Sequence, residues 1–299
     1  GMADATALLD LPTLLFSYRR PGPANERELR VFAPRRSGHH AFLQWVEKNS
    51  STRVVFLNDC TPDANPFLTC RGPHIYDQGI SHRYLNRRRE ANGKCSKKGT
   101  LIYNYENLEL SEDVIKYLDA HREQWVGQSR WRTDVLILRD PFNLLASVLR
   151  SRRQDNSLAG APAVERARRI WKAYAREFVG RSSFFRNPTL VSYNEWFVSE
   201  DTRRALADRL GLTSADQGLE KVAEWGPAAW GASFDGLSKD GRASQMGVLE
   251  RWKQYAEDPV YVSQFQDDEL WDLSEIIFGE ISGTQSLRKS VVAGPGLSK

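Results

Sequence analysis

Cysteine is scarce: three in 299 residues, Cys60, Cys70 and Cys95, an odd number with no CxxC spacing. That argues against a disulfide framework and a structural zinc site, and it fits a cytoplasmic protein with reduced thiols. Long apolar runs are missing too. No stretch approaches the roughly 20 residues a membrane-spanning helix needs. The best N-terminal candidate, Ala7 to Phe16, is broken by Asp10 and Pro12 and lacks a basic leader. Strong charge imbalance is absent, since 42 basic residues against 38 acidic ones leave a net charge of +4. A mild positive charge suits a small anionic ligand and does not argue for nucleic acid. No internal repeat is visible. What is present is a core: 40% hydrophobic residues with 11% aromatics exclude global disorder.

Short apolar segments read as strands at Leu29–Ala33, Arg53–Leu57, Thr100–Tyr105, Val135–Leu138 and Thr189–Ser192. Between them lie helical patterns at Ala41–Val46, Glu112–His121, Leu144–Arg150, Glu165–Phe178, Thr202–Leu210, Val248–Tyr255 and Asp267–Phe278. Apolar strands alternating with helices predict a three-layer α/β fold around a central, mostly parallel sheet. Residues 2–282 are read as one domain, with Gly1 a leftover ahead of Met2. Thr13–Tyr18 is a weak edge strand or arm. Cys60–Gly99 reads as a basic loop insertion, rich in Pro, Gly and Asn, with Arg71, Arg83, Arg87, Arg88, Arg89, Lys94, Lys97 and Lys98 against Asp63, Asp77 and Glu90. It is either a solvated insertion or a lid that meets a negative ligand. Trp225–Ser244 reads as loop, and 283–299 as a flexible tail.

The stretch around which the chain is organised runs from Glu28 to Trp45. An apolar strand stops at Pro34, Arg35-Arg36-Ser37-Gly38 make a basic turn, and a helix follows at His39-His40. Strand, tight glycine turn and helix start present backbone N–H groups to an anion. Ser37 adds a hydroxyl and Arg36 a charge. An ordinary strand-to-helix turn with two solvated arginines would look the same.

A second stretch changes the balance. In Val135–Arg150, Arg139 ends a fully apolar strand and Ser147 lies eight residues later, about two helical turns on. An Arg and a Ser so placed can converge on one phosphate. The competing reading pairs Arg139 with Asp140 and leaves Ser147 as a packing hydroxyl.

Taken together, the two stretches resemble the sulfotransferase family, whose donor is 3′-phosphoadenosine 5′-phosphosulfate (PAPS). The family's P-[KR]-[ST]-G-T-T is similar to Arg36-Ser37-Gly38-His39-His40, and its R-[DN]-P-x-[DN]-x-x-x-S to Arg139 through Ser147. Leu190–Trp196, followed by a helix ending in Leu210-Gly211-Leu212, resembles a third motif. Leu249-Glu250-Arg251-Trp252-Lys253-Gln254-Tyr255 resembles a fourth. The resemblance spans about Val31 to Phe278 and implies a P-loop nucleotide-hydrolase-like sulfotransferase fold. It also implies transfer of a sulfuryl group by in-line displacement, with adenosine 3′,5′-bisphosphate as product and no metal.

Carried over residue by residue, Arg35, Arg36, Ser37, Gly38, His39 and His40 would surround the 5′-phosphosulfate, with Arg36 also stabilising charge on the leaving oxygen. Arg139 and Ser147 would bind the 3′-phosphate, Arg242 in the Lys239–Ser244 loop would add a contact, and Tyr193 would line the adenine or pack in the core. Glu106 would be the general base, with Asp59 and His82 as competitors; the plainer reading has Glu106 capping a turn at Asn107–Leu110. The acceptor would be a hydroxyl of a glycan, lipid or small molecule, with Trp225, Trp230 and Phe234 available for stacking.

The family's Thr-Thr is His39-His40 here, which replaces hydroxyls by imidazoles that still donate. Neighbouring helix positions diverge, which argues against a metal held by the pair. A P-loop kinase is the enzymatic alternative, but its G-x-x-x-x-G-K-[ST] fails twice: Ala33 stands where the first glycine belongs, and His39 replaces the lysine. A non-catalytic nucleotide- or glycan-binding relative of the same fold is the other alternative.

Overall fold

Residues 22–82, 84–154, 160–213, 216, 219 and 247–289 are described by the structure, a computed structural model. Along its first strand, β1 (Asn25–Ala33), alternation sends Leu29, Val31 and Ala33 to one face and Phe32 to the other. Each set enters a separate apolar cluster, so both faces of the sheet are covered. The remaining strands are β2 (Val54–Asn58), β3 (Gly72–Asp77), β4 (Ile80–His82), β5 (Lys98–Glu106), β6 (Ser129–Leu138) and β7 (Thr189–Ser192). They form one seven-stranded sheet in the order β4-β3-β2-β5-β1-β6-β7. Strands β2, β5, β1, β6 and β7 are parallel, and β3 and β4 add an antiparallel edge. The expected three-layer α/β architecture is the one observed.

Helix α1 (His39–Lys48) packs Phe42, Trp45 and Val46 on the face that carries Val31. The opposite face receives α4 (Glu112–Val126), α5 (Pro141–Gln154) and α6 (Gly160–Phe178), through Ile115, Leu118, Leu145, Leu149, Ile170 and Trp171. Helices α7 (Tyr193–Val198) and α8 (Glu200–Leu210) return to the α1 side. Leaving β1, the chain turns toward β2; leaving β6, it turns toward β7. The carboxyl ends of neighbouring β1 and β6 therefore flank a topological switch point, where open α/β sheets bind ligands. Both stretches read above as candidate anion sites begin there.

Several elements differ from the sequence reading. Strand β1 begins at Asn25 and β6 at Ser129, earlier than their apolar runs suggest, because polar side chains occupy the first halves of both, buried in β1 and half-buried or exposed in β6. The stretch 60–99 is not a structureless loop: it holds α2 (Pro66–Thr69), β3, β4 and α3 (Arg87–Ala91). Elements of three to six residues are too short to show a period. Its punctuating residues are structural, too. Pro66 opens a helix behind the Asn65 cap, which accepts from Phe67 N at 3.0 Å. Several of its cations are structural as well. Arg87 donates to the carbonyls of Phe67, Leu68 and Cys70 at 2.7, 2.8 and 2.7 Å, and buried Lys98 meets Glu90 at 2.6 Å.

Near the C-terminus, Arg251–Tyr255 is a 3₁₀ turn rather than an α-helix, and short helices follow at α9 (Pro259–Ser263) and α10 (Asp268–Phe278). Beyond residue 282, Gln285–Lys289 forms a further short helix, α11, with Leu287 buried. The readings for Thr13–Tyr18, for Trp225–Ser244 with Arg242, and for residues past 289 lie outside the described residues.

Candidate functional site

The turn between β1 and α1 is built by two left-handed residues. Arg36 has φ 70° and Gly38, at the helix cap, has φ 78°. At Gly38 the conformation and the space both demand glycine: a Cβ there would stand 2.3 Å from the ring of Tyr193. As a glycine cap it offers no side-chain acceptor to the first-turn amides. Ser37 is 0% exposed and its Oγ has no hydrogen-bond partner. A buried hydroxyl left so is uncommon, and an anion in the turn would satisfy it.

The second stretch lies beside it. Arg139, 2% exposed, follows β6, and its Nη2 donates to the Val248 carbonyl. The described contacts of Asp140 are with Asn143 and Asn194, and not with Arg139. Asp140 accepts from Asn143 N at 2.8 Å and Asn194 Nδ2 at 2.9 Å, while its own N donates to Asn194 Oδ1 at 3.1 Å. Asn143 Oδ1 in turn accepts from Trp252 N at 3.2 Å. The third and fourth motifs thus clamp the second from either side. Ser147 is 1% exposed and its Oγ, like that of Ser37, has no partner.

One ring joins the two stretches. Tyr193, 5% exposed, packs against Gly38 and lies under the Arg139 guanidinium, 5.5 Å from its carbon. Burial raises the Tyr193 phenol, while Arg139 and Arg251 pull it down. Arg251 is therefore a second buried cation at this point. The sequence reading quoted Arg251 inside a motif without giving it a role, and placed the extra cation at Arg242. The signal was available: an arginine directly before a core tryptophan, Trp252.

On the other side of the turn stand the titratable groups. Glu106 ends β5 in register with Ala33, which puts it next to the turn. Its side chain is 5% exposed; Oε1 lies 3.4 Å from Arg35 Nε and Oε2 3.9 Å from His39 Nε2. No helical turn follows at Asn107–Leu110; Asn107 N donates to Ala33 O and its Oδ1 accepts from Arg35 N, so Asn107 ties the two strand ends together. Burial, and next the Glu106 charge, push the Asp59 carboxyl up, opposed by Arg71, whose Nε lies 2.9 Å from it. His82 is exposed on edge strand β4, four strands from β1, about 19 Å at the usual spacing.

His39 and His40 do not diverge. Both occupy the first turn of α1, their ring centroids are 4.2 Å apart, and with Glu106 they bring one ligand atom each within 4.8 Å of one another. Burial holds both imidazoles neutral down to about pH 3, with Arg35 and Arg36 acting in the same sense on His39, and His39 and Arg36 on His40. Whatever they give an anion is a hydrogen bond and not a charge.

No protein-family model and no curated protein matches the sequence. Among solved structures, the chain is similar to the sulfotransferase domain from the curacin biosynthetic pathway, with 12% identity, a TM-score of 0.50, and 85% of this chain and 98% of that one covered. It is also similar to the sulfotransferase domain from the Synechococcus PCC 7002 olefin synthase, with 12% identity, a TM-score of 0.47, and 87% and 98% covered. The curacin-pathway comparison shows that the fold is that of a sulfotransferase domain. Among the described residues, no helix is long and apolar enough to cross a membrane.

Proposed function

We propose that this chain moves a sulfuryl group from PAPS to an acceptor hydroxyl. The observation that carries the reading is the pairing of two buried, partnerless hydroxyls, Ser37 and Ser147, one in each stretch that the Tyr193 ring joins. A donor with anionic groups at two places fits that pattern; a single phosphate does not account for both.

In this reading Arg36, Ser37 and the turn ending at Gly38 hold the 5′-phosphosulfate, with His39 and His40 as neutral donors beside it. Arg139, Ser147 and Arg251 hold the 3′-phosphate, and Arg242 adds a contact from outside the described residues. The donor supplies the sulfuryl group, and adenosine 3′,5′-bisphosphate is released. Arg36 stabilises the charge that grows on the leaving oxygen, a task for a fixed cation. Glu106 takes the acceptor's proton, at the end of the strand next to the turn. Asp59, whose carboxyl is pushed up, is the second carboxylate within influence of Glu106 and the alternative base. The acceptor class is a glycan, lipid or small-molecule hydroxyl.

A kinase reading gains nothing from the geometry. The carboxylate at the end of β6, Asp140, is taken up by Asn143 and Asn194, where a Walker-type strand would offer it to Mg²⁺. The deciding measurement is thermal stabilisation by adenosine 3′,5′-bisphosphate against ADP, 5′-AMP and ATP with Mg²⁺. At 100 times its dissociation constant the bisphosphate should stabilise the fold by about 2.7 kcal/mol. A response confined to ATP with Mg²⁺ would return the turn to the kinases. Binding of the bisphosphate without turnover on any hydroxyl acceptor would favour the non-catalytic relative.

A further inference from the structure

His39, His40 and Glu106 form a cluster whose carboxylate anion binding does not explain. A carboxylate at the edge of an anion site repels the ligand. His39 is 2% exposed and neither of its ring nitrogens has a hydrogen-bond partner, so a fully buried imidazole is left with two unused polar atoms. Its Nε2 faces Glu106 Oε2 at 3.9 Å, too far for a hydrogen bond. Two ligands of a tetrahedral ion with ~2.0–2.1 Å bonds stand about 3.4 Å apart, so a contraction of about 0.5 Å would let one ion join them.

From this geometry we infer a binding site for a divalent first-row transition ion, held by His39, His40 and Glu106 with one position left open. Two imidazoles and one carboxylate suit Zn²⁺ or Fe²⁺ and not Mg²⁺ or Ca²⁺, which take oxygen ligands. Zn²⁺ fits best, because three protein ligands with an open fourth position is its usual catalytic arrangement. Arg35 and Arg36 oppose a cation here. The Glu106 charge offsets one of them, and Arg35 sits on Oε1, the oxygen turned away from His39, with 42% of its side chain exposed and able to move toward solvent. The site shares its three residues with the donor reading: an ion there would take the imidazole nitrogens offered to the phosphosulfate and compete with the proton that Glu106 would take as base.

The test uses Co²⁺ as a spectroscopic probe on the full chain stripped with chelator, followed by displacement with Zn²⁺ and by metal analysis of protein loaded with Zn²⁺ or Fe²⁺. One equivalent with visible d–d bands is expected. His39→Asn and Glu106→Gln should each weaken binding by more than the ~10–100-fold that loss of an outer partner costs. His121→Ala, on the surface of α4, should leave it unchanged. Glu106→Gln is close to isosteric and keeps the test alive if His39→Asn does not fold. Absence of a bound equivalent, or an affinity in both variants equal to that of the unaltered chain, overturns the site. Bisphosphate binding reads Arg139 and Ser147 instead, so either reading can fail alone.

Discussion

Toward its amino end β1 buries Glu28 and Arg30; just past its carboxyl end the chain buries Ser37 and His39. The first cluster is balanced in charge, although Arg30 Nη1 and Arg122 Nη2 have no hydrogen-bond partner. Glu28 accepts from Tyr103 Oη at 2.7 Å, Arg122 Nε at 2.5 Å and Ser129 Oγ at 2.6 Å. Arg30 is bidentate to Asp134 at 2.7 and 3.0 Å and reaches Asp119 at 2.6 Å, while Arg122 also donates to Asp134 at 3.2 Å. Every charge there faces an opposite charge. The second cluster is open: Ser37 Oγ, Ser147 Oγ and both nitrogens of His39 have no partner. The same strands carry both, within one apolar frame. Buried polarity is therefore not in itself the mark of a site; the difference is that in the second cluster whole side chains, and not single nitrogens of paired charges, lack a partner.

The comparison can be broken by mutation, and the largest effect is expected in the charge-balanced cluster. Arg30→Ala leaves Asp134 short of its bidentate partner and should cost about 3–5 kcal/mol of stability, read from denaturant midpoints. A loss below ~1 kcal/mol would remove the contrast. Next in size, Arg139→Ala should weaken bisphosphate binding by about 1.5–3 kcal/mol, measured by calorimetry, since it removes a charge-assisted contact. Unchanged affinity would take the second stretch out of the site.

A pH series sharpens the same contrast. His39 and His40 hold values near 3 in the fold against 6.5 when free, so between those limits the unfolded chain binds more protons. Their contribution is complete above about pH 6.5 and is lost as pH falls toward 3. Urea midpoints should drop across that window and drop less in His39→Asn. The smallest effect belongs to Ser147→Ala. With no partner to lose, its stability should change by under ~0.5 kcal/mol, while bisphosphate affinity falls by about 1 kcal/mol. A destabilisation larger than the affinity loss would make Ser147 a packing hydroxyl after all.

Much of this was legible in the residues. The apolar strands, the helix faces of α1 and α6 and the turns that follow β1 and β6 come from periodicity and from glycine and proline punctuation. What escaped notice escaped for a physical reason. Glu28, Arg30 and Asp134 hid the true length of β1 and β6, because charge in a strand reads as surface until its partners, ninety or a hundred residues away, are known. Arg87, three helix carbonyls in its grip, looked like part of a basic lid. The meeting of His39, His40 and Glu106 depends on the β1–β5 register and on how the first turn of α1 leaves the loop. Neither is written in spacing alone.

The Tyr193 ring, with Gly38 on one side and Arg139 on the other, also works as a gauge. Because one rigid aromatic lies between the two stretches, its width helps to set the interval between them. A nucleotide whose second phosphate sits at 2′ instead of 3′ presents the same charges at the wrong interval. Under the proposed donor reading such a nucleotide is rejected by length, with no residue devoted to refusing it.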